Sequence, residues 1–264
     1  MAVNRETTAM LSVEGLSRSF DGVKAVDGLS FDIERGGITA LIGPNGAGKT
    51  TVFNAMTGFL RPDAGHVRFD GTEITRKTPD AIARMGIGRT FQDCKTLAQL
   101  PALDNVMLAF QDAANETLPV ALLRPRAMLA SEREKSDRAC ALLEEAGLLG
   151  KKNELAGDLS FGQRKLLELC RVQALNPRLI MLDEPIAGLF PAMVVKMMEM
   201  IRRLRGGGNT VIFIEHNMKV VMELSDRVLV LNYGQLIADG TPEAVRNDPA
   251  VLDAYLGRKT HGAS

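Results

Sequence analysis

A lysine and a threonine close a glycine-rich turn in the first quarter of the chain. The turn covers residues 43–50 and reads Gly43, Pro44, Asn45, Gly46, Ala47, Gly48, Lys49 and Thr50, with Thr51 directly after it. Glycines let the backbone wrap closely around phosphate oxygens, with its N–H groups pointing inward. A lysine at this point reaches the β- and γ-phosphates of a nucleotide, and a threonine hydroxyl ligates Mg²⁺. The residue types therefore predict a site for a nucleoside triphosphate and Mg²⁺.

The segments on either side of the turn supply the elements that such a site needs. The apolar run Ile38–Ile42 predicts a buried strand, and residues 51–56 predict a helix that ends near Gly58. The start of a helix carries a positive dipole end that favours anions. A chance loop before a helix is the alternative, and the correct flanking strand and helix argue against it.

Two adjacent carboxylates follow a second apolar run. Residues 179–182 predict a strand, and Asp183 and Glu184 come at its end. Ligand sites in open α/β sheets lie at the carboxyl ends of strands. We expect Asp183 to hold Mg²⁺ and Glu184 to orient and deprotonate a water molecule beside the γ-phosphate. The alternative is that the two acids only cap the next helix.

A third motif precedes another predicted helix. Residues 159–163 are Leu-Ser-Phe-Gly-Gln, so Ser160 and Gly162 lie at the start of a helical run over 164–175. This helix start is again an anion-binding end. One chain with one nucleotide does not need two such ends, whereas a head-to-tail pair of chains does. The motif therefore indicates that each chain completes the site of the other.

The remaining pattern predicts how these motifs are arranged along the chain. Strand-like text runs from Leu11 to Ile33, with turns at 21–22 and 27–28, and residues 95–175 read mainly as helices. Within that block, Ser131 and Glu134 have the spacing of a capping box at a helix start, and Gly147 predicts its stop. After the carboxylates, the pattern predicts strands at 210–214 and 227–231 and helices at 192–205 and 217–225. The result is an α/β nucleotide-binding core with an inserted helical block.

Composition bounds the partners and the compartment. Lys plus Arg and Asp plus Glu are 32 each, so the formal net charge is zero. This argues against a protein that binds duplex DNA or an anionic membrane surface, although it leaves a local basic patch open. The three cysteines are far apart and predict buried free thiols rather than a metal site. Neither a membrane-spanning run nor a secretory signal is visible, so we expect a cytoplasmic protein that reaches a membrane only through a partner. The apolar and basic stretch 117–126 either contacts a partner or packs on its own subdomain.

Taken together, these motifs resemble those of the ATP-binding subunits of ABC transporters. Residues 43–50 are similar to the Walker A motif of that family, 159–163 to its signature, and 179–184 to its Walker B motif with the catalytic glutamate. Gln92, His216 and Phe20 fall where the family has the Q-loop glutamine, the switch histidine and the aromatic residue that stacks on adenine. The resemblance covers nearly the whole chain.

The resemblance implies a fold and a division of the chain. The fold is α/β, with a RecA-like P-loop core, an antiparallel β subdomain and an inserted helical subdomain. One domain spans 10–257, between loose termini at 1–9 and 258–264. Its parts are the core at 10–93 and 176–240, the helical subdomain at 94–175, and the helical tail at 241–257.

It also implies a role for each motif residue, with ATP and Mg²⁺ as ligands. Glu184, His216 and Gln92 are expected to be catalytic, and Thr50, Gln92 and Asp183 to serve the metal. The nucleotide is expected to contact Phe20, residues 43–51 and, from the other chain, Ser160, Gly162 and Gln163. Two departures stand out, because Phe161 replaces the first signature glycine and Phe190 replaces the Asn or Asp that usually follows Gly188 and Leu189.

A narrower resemblance points to the importer ATPases for branched-chain, or hydrophobic, amino acids. It is carried by residues 86–92, by 104–106, by Ala187-Gly188-Leu189 and by the ending 237–257. It favours a second ATPase subunit that is homologous but different, and it implies two transmembrane permease subunits and, indirectly, a substrate-binding protein, with no nucleic acid. The chain would lie on the inner face of the cell membrane. The related urea importers are close neighbours, so the cargo stays open.

Two other function classes fit the residues less well. A soluble ABC ATPase that acts on nucleic acid or ribosomes usually has two cassettes or a long coiled coil, and neither pattern is present. A phosphate-loop kinase or GTPase would not need the motif at 159–163, and the guanine-specifying Asn-Lys-x-Asp sequence does not occur. An ATP-hydrolysing transport subunit is therefore the function that we expect.

Overall fold

The computed structural model describes residues 9–110 and 125–256 and divides them into two compact units. The first unit contains residues 9–89, 178–185 and 201–256, and the second contains the remainder. Most of the stretch 117–126 lies outside the described residues, as do residues 1–8 of the predicted loose end 1–9 and all of 258–264.

A six-stranded sheet forms the centre of the first unit. Its strand order is β10-β9-β3-β8-β7-β6, and all neighbours are parallel except β10 and β9. The strands are β3 (Ile38–Ile42), β6 (Ile87–Arg89), β7 (Leu179–Asp183), β8 (Thr210–Ile214), β9 (Arg227–Asn232) and β10 (Gln235–Gly240). The strands predicted at 38–42, 179–182, 210–214 and 227–231 are confirmed, whereas β6 and β10 had not been predicted.

The apolar character of the central strands explains their position. Every residue of β3, β7 and β8 is buried. A parallel sheet that is covered on both faces requires such continuous apolar runs. The buried strands β3, β7 and β8 therefore give a rigid support to the three loops that follow them, which begin after Ile42, Asp183 and Ile214.

An antiparallel sheet completes the first unit, in the order β2-β1-β4-β5. Its strands are β1 (Ala9–Phe20), β2 (Val23–Glu34), β4 (Ala64–Phe69) and β5 (Thr72–Glu73). The turn predicted at Asp21 and Gly22 is confirmed, since φ is positive at both residues. The turn predicted at Asp27 and Gly28 is wrong, because both residues lie inside β2. There, Gly28 has φ 64° beside a shift in the pairing of β2 with β1, which is a bulge rather than a reversal.

Short helices connect the strands of the first unit. The helix predicted after the glycine-rich turn runs over Lys49–Met56, with Gly58 just beyond it at φ 75°. The helix predicted at 217–225 is confirmed as Met218–Leu224, with Asn217 as its N-cap. The other helices are Pro79–Arg84, Pro242–Arg246 and Pro249–Leu256.

The second unit is helical where it is described. Its helices are Ala102–Met107, Pro125–Glu145 and Phe161–Ala174, with short 3₁₀ turns at Leu149–Lys151 and Ala156–Asp158. Helix Pro191–Gly206, predicted at 192–205, begins in this unit.

The helix start predicted at Ser131 is wrong. Ser131 lies inside the helix Pro125–Glu145. A serine followed three residues later by a glutamate is also the i, i+3 spacing of a helix interior, so this pattern does not fix a start. The predicted stop is confirmed, because Gly147 has φ 71° and its N–H donates to the Glu144 carbonyl at 2.9 Å.

The structure can be compared with two further predictions, that the cysteines are buried free thiols and that no segment spans a membrane. All three cysteines are free thiols, but only Cys170 is fully buried, and Cys94 and Cys140 are half-buried. Of the helices described, none has the length and apolar content needed to cross a bilayer.

Candidate active site

Three neighbouring strands bring the predicted chemistry to one edge of the sheet. Strand β8 lies between β3 and β7 and is parallel to both. The glycine-rich turn follows β3, Asp183 and Glu184 follow the apolar part of β7, and His216 comes two residues after β8. The carboxyl ends of parallel strands meet at one edge, which is where α/β sheets bind ligands.

Two glycines of the turn, Gly43 and Gly48, occupy positions where a side chain would displace neighbouring backbone. Gly43 has φ 150°, and a Cβ atom there would lie 2.1 Å from the carbonyl oxygen of Leu231. Gly48 is the N-cap of helix Lys49–Met56 with φ 98°. The first N–H groups of a helix have no partner within it, so Lys49, Thr50 and Thr51 contribute donors to the concave side of the turn.

The Lys49 side chain is held along this turn. Its ammonium nitrogen donates to the carbonyl oxygens of Gly43, at 2.8 Å, and Pro44, at 2.9 Å, and the residue is buried. Burial lowers the pKa of Lys49, and the nearby carboxylates of Glu184 and Asp183 oppose that shift. Lys49 therefore shares this edge of the sheet with two carboxylates.

Asp183 is fixed by an arginine that had not been assigned a role. The Asp183 Oδ2 atom accepts from Arg89 Nη2 at 3.1 Å, and both side chains are buried. Arg89 Nη1 also donates to Asn54 Oδ1 and Thr57 Oγ1, each at 2.8 Å, which ties the ion pair to the first helix. Burial lowers the pKa of Arg89, and Asp183 opposes the shift. Arg89 was visible in the sequence only as a neighbour of Gln92, and no local signal reveals a partner 94 residues away.

Glu184 and His216 are in direct contact. His216 Nε2 and Glu184 Oε1 lie 3.0 Å apart, and the Glu184 N–H donates to the Ile214 carbonyl at 3.0 Å. Glu184 has φ 50°, a left-handed backbone that costs a non-glycine residue roughly 1–3 kcal/mol. Such strain is typical of functional positions, and here it accompanies the contact of the Glu184 side chain with His216.

The available oxygen ligands suit Mg²⁺. Asp183 supplies a buried carboxylate and Thr50 an exposed hydroxyl, both of which are hard oxygen donors. Within 9–110 and 125–256, no three His, Cys, Asp or Glu side chains form a group that could hold a metal by themselves. Mg²⁺ is usually bound by one or two protein oxygens together with phosphates and water.

Phe20 lies at the end of β1 with 44% of its surface exposed. The guanidinium carbon of Arg18 is 4.9 Å from the centre of its ring. One face of the ring is therefore covered by a cation, and the exposed part is open to a planar group.

The other predicted site residues belong to the second unit. Gln92 is exposed. Ser160 is the N-cap of helix Phe161–Ala174, where its hydroxyl accepts from the Gln163 N–H at 3.3 Å and its own N–H donates to the Gln163 side chain at 3.0 Å. The capping box therefore uses the side chains of both residues. The roles of Gln92, Ser160, Gly162 and Gln163 stay predictions.

The two departures from the family pattern also lie in the second unit. Phe161 packs on Gly188, where an added Cβ would lie 3.0 Å from the ring. Phe190 is 82% exposed. The phenylalanine in the signature therefore takes up the space beside Gly188, and the second phenylalanine faces solvent.

Glu168 is a further buried acid that sequence reasoning missed. It lies in the helix of the signature, and its carboxylate accepts from the N–H groups of Phe91 and Lys95 at 3.4 and 3.3 Å. It therefore holds the backbone on both sides of Gln92. Its place among apolar residues of an amphipathic helix gave no signal of this contact.

Comparison with known proteins agrees with this geometry. A family model described as ABC transporter matches residues 26–187. The chain is 43% identical over 249 residues to the high-affinity branched-chain amino acid transport ATP-binding protein BraF of Pseudomonas aeruginosa, covering 94% of this chain and 98% of the relative. The corresponding LivG protein of Salmonella typhimurium is 41% identical over the same shares of the two chains.

A solved structure supports the fold. The ADP conformation of an ATP-binding cassette of an ABC transporter superposes with a TM-score of 0.81 at 35% identity, covering 95% of this chain and all of that one. The chain therefore belongs to the ABC transporter family, as an ATP-hydrolysing subunit with the predicted RecA-like core. A second family model, described as branched-chain amino acid ATP-binding cassette transporter, matches residues 235–261, so the narrower resemblance is confirmed.

Proposed function

We propose that this chain powers an importer for branched-chain or other hydrophobic amino acids. The named relatives, which are branched-chain amino acid transport proteins, support this cargo. In this proposal, two ATPase subunits, this chain and a homologous partner, act on two transmembrane permease subunits that receive cargo from a substrate-binding protein. The chain would then sit at the cytoplasmic face of the membrane, without nucleic acid.

The proposal assigns the binding roles as follows. The backbone of residues 43–51 and the Lys49 ammonium bind the phosphates, and Phe20 stacks on the adenine. Thr50, Asp183 and Gln92 hold Mg²⁺, which when bound neutralises charge on the β- and γ-phosphates. Ser160, Gly162 and Gln163 contact the γ-phosphate held by the partner subunit.

The contact between Glu184 and His216 carries the catalytic part of the proposal. A base that is positioned by a second group at 3.0 Å is the arrangement that general base catalysis requires. Glu184 takes a proton from the attacking water, and His216 keeps the carboxylate and the water in line with the γ-phosphate. Lys49, close enough to influence both carboxylates, stabilises the charge that develops on the transferred phosphoryl group.

The division of the chain is also proposed. The core at 10–93 and 176–240 binds the nucleotide, the helical subdomain at 94–175 carries the signature, and the tail at 241–257 closes a single domain. Gln92 then reports the bound phosphate and metal to the helical subdomain, and the surface near 93–105 transmits this to the permease.

Glu184→Gln tests the chemistry. Removing a general base lowers a rate by about 10²–10⁴-fold, so we expect this loss of ATP hydrolysis with retained binding of a fluorescent ATP analogue. Glu199→Gln, at an exposed site on helix Pro191–Gly206, is the matched control. A normal rate of ATP hydrolysis in Glu184→Gln would show that Glu184 is not the general base. Failure of Glu184→Gln to associate with the partner ATPase in MgATP would contradict the paired site.

The cargo requires a separate experiment. The chain is reconstituted in vesicles with its permease subunits and binding protein, and uptake of labelled leucine and labelled urea is measured with MgATP on the side of the ATPase. We expect ATP-dependent uptake of leucine. Uptake of urea but not of leucine would overturn the proposed cargo and leave the ATPase assignment intact.

A further inference from the structure

A largely apolar cavity lies near the end of the described chain, within the first unit. Its volume is about 620 Å³, which is in the range of small-molecule sites. Helix Met218–Leu224 forms one wall, and the helices Pro242–Arg246 and Pro249–Leu256 form the other. None of the residues to which the catalytic proposal gives a role lines this cavity.

The cavity combines a soft apolar interior with charged groups. Met218, Met222 and Leu252 contribute flexible apolar side chains, and such side chains adapt to ligands of irregular shape. Leu252 is 48% exposed, and Tyr255, which also lines the cavity, is 42% exposed. Two large apolar side chains thus remain open to solvent beside the cavity.

The charged groups of the lining favour an anion. Lys219 and Arg246 both line the cavity, and neither is ion-paired with any carboxylate among the described side chains. The third charged residue, Glu223, accepts from Arg202 at 2.8 Å and is thereby neutralised. An occupant therefore meets two available cations next to an apolar surface, which is the complement of a carboxylate with an apolar tail.

Two walls of the cavity connect it to the nucleotide site. Burial raises the pKa of Tyr255, and the nearby Gly43 amide opposes that shift, so the phenol oxygen lies close to the glycine-rich turn. Met218 begins the helix two residues after His216, which contacts Glu184. An occupant that displaces the Tyr255 ring or the start of this helix therefore acts on the glycine-rich turn or on the base.

We propose that this cavity is a regulatory site for a small carboxylate with an apolar tail, and that its occupation changes nucleotide binding. The chemistry is shared by apolar amino acids and by their deaminated acids. The cavity lies outside the ATP site and its ligand need not be the cargo, so the inference does not depend on the proposed importer function.

Binding is tested with the purified full-length chain by isothermal titration calorimetry. The probes are L-leucine, 4-methylpentanoate, 3-methylbutylamine and glycine, which separate the carboxylate, the ammonium group and the tail. We expect saturable binding of one or both carboxylates that carry the tail, and none of the amine or of glycine. Tighter binding of leucine would identify an amino acid, and tighter binding of 4-methylpentanoate a deaminated acid. Saturable binding of the amine, or of no probe up to about 10 mM, would overturn the site.

The location is tested with the double variant Lys219→Gln/Arg246→Gln. It should raise the dissociation constant of the carboxylate at least about tenfold, because each charge-assisted contact is lost. Arg76→Gln, at an exposed position of the same unit, is the control and should leave the dissociation constant unchanged. An unchanged constant in the double variant would place the ligand elsewhere.

The regulatory step is tested through Tyr255. Coupling between two sites is reciprocal, so the carboxylate should change ATP affinity by the same factor by which ATP changes carboxylate affinity. Tyr255→Phe keeps the ring that lines the cavity and removes the phenol oxygen, so it should retain carboxylate binding and reduce this factor towards one. Equal ATP affinity with and without bound carboxylate in the unaltered chain would reject regulation.

Discussion

The guanidinium of Arg89 and the carboxylate of Asp183 form a buried ion pair at 3.1 Å, at the ends of two neighbouring parallel strands. The same guanidinium reaches Asn54 and Thr57 on the helix that follows the glycine-rich turn. One side chain therefore fixes the acid proposed to hold Mg²⁺ relative to the helix whose start is proposed to bind the phosphates. Its contribution to the site is one of position.

Arg89→Ala should strongly destabilise the protein. Removing one partner of a buried pair leaves an uncompensated charge and costs about 3–5 kcal/mol of unfolding free energy. Urea unfolding followed by circular dichroism measures this. Arg84→Ala is the matched control, because Arg84 pairs with Asp80 on the surface with both side chains about 70% exposed, and such a pair contributes about 0–1 kcal/mol. Equal losses in the two variants would contradict the structural role of the buried pair.

Gly43→Ala should abolish nucleotide binding, whereas Gly71→Ala, outside the proposed binding residues, should leave it unchanged. A Cβ at Gly43 would lie 2.1 Å from a backbone oxygen of the adjacent strand, so the turn or the strand must move. Gly71 has φ 73° but nothing within 4 Å of the added Cβ, so the cost is the roughly 1–2 kcal/mol of a left-handed alanine. Binding of a fluorescent ATP analogue separates the two. Equal affinity in both variants would show that the turn tolerates the displacement.

Replacing Glu168 with Gln should alter how stability depends on pH. Burial raises the pKa of Glu168, and hydrogen bonds from the Lys95 and Phe91 amides only partly oppose it. The folded chain then holds this proton more tightly than the unfolded chain, so the stabilisation by the protonated form is lost as pH rises above about 4.3. The urea midpoint of Glu168→Gln, relative to the unaltered chain, should therefore rise as the pH increases above the pKa of an unfolded glutamate, about 4.3.

Two further variants serve as comparisons for Glu168→Gln. Glu144→Gln removes one exposed negative charge from the same unit and controls for net charge. Glu168→Ala removes the acceptor of two backbone N–H groups and should cost about 1–3 kcal/mol. A Glu168→Gln difference that does not change with pH would contradict the direction of the pKa shift.

The contact between Phe161 and Gly188 should appear as an energetic coupling. Gly188→Ala places a methyl group 3.0 Å from the Phe161 ring and also strains a residue at φ 74°. In a Phe161→Ala background the clash is gone and only the strain remains. A double-mutant cycle of unfolding free energies should therefore give a coupling of about 0.5–3 kcal/mol. Additive losses would mean that the ring moves away without cost.

The sequence was sufficient for every element whose residues are consecutive and strongly patterned. The continuous apolar runs of β3, β7 and β8 left little choice but buried parallel strands. The turn at 43–50 was readable because its glycines, lysine and threonine follow one another. Comparisons then confirmed the family.

Features that depend on distant residues were not readable. Strand β6 has three residues, too few for any periodicity, and the partner of Arg89 lies in another strand. The capping-box pattern at Ser131 failed because the helix Pro125–Glu145 has the same spacing in its interior. The proximity of the Tyr255 phenol oxygen to the Gly43 amide depends on how the last described helix packs, which local sequence does not encode.

The strand order in the parallel sheet has a consequence for synthesis of the chain on the ribosome. Strand β3 is flanked by β8 and β9, whose residues begin at 210 and 227. Until those segments emerge, both edges of a strand that is fully buried in the folded protein stay unpaired, and such edges invite aggregation. Strand β3 must stay protected from other chains until nearly the whole polypeptide has been translated. We therefore expect heavy dependence on chaperones and little tolerance of premature termination.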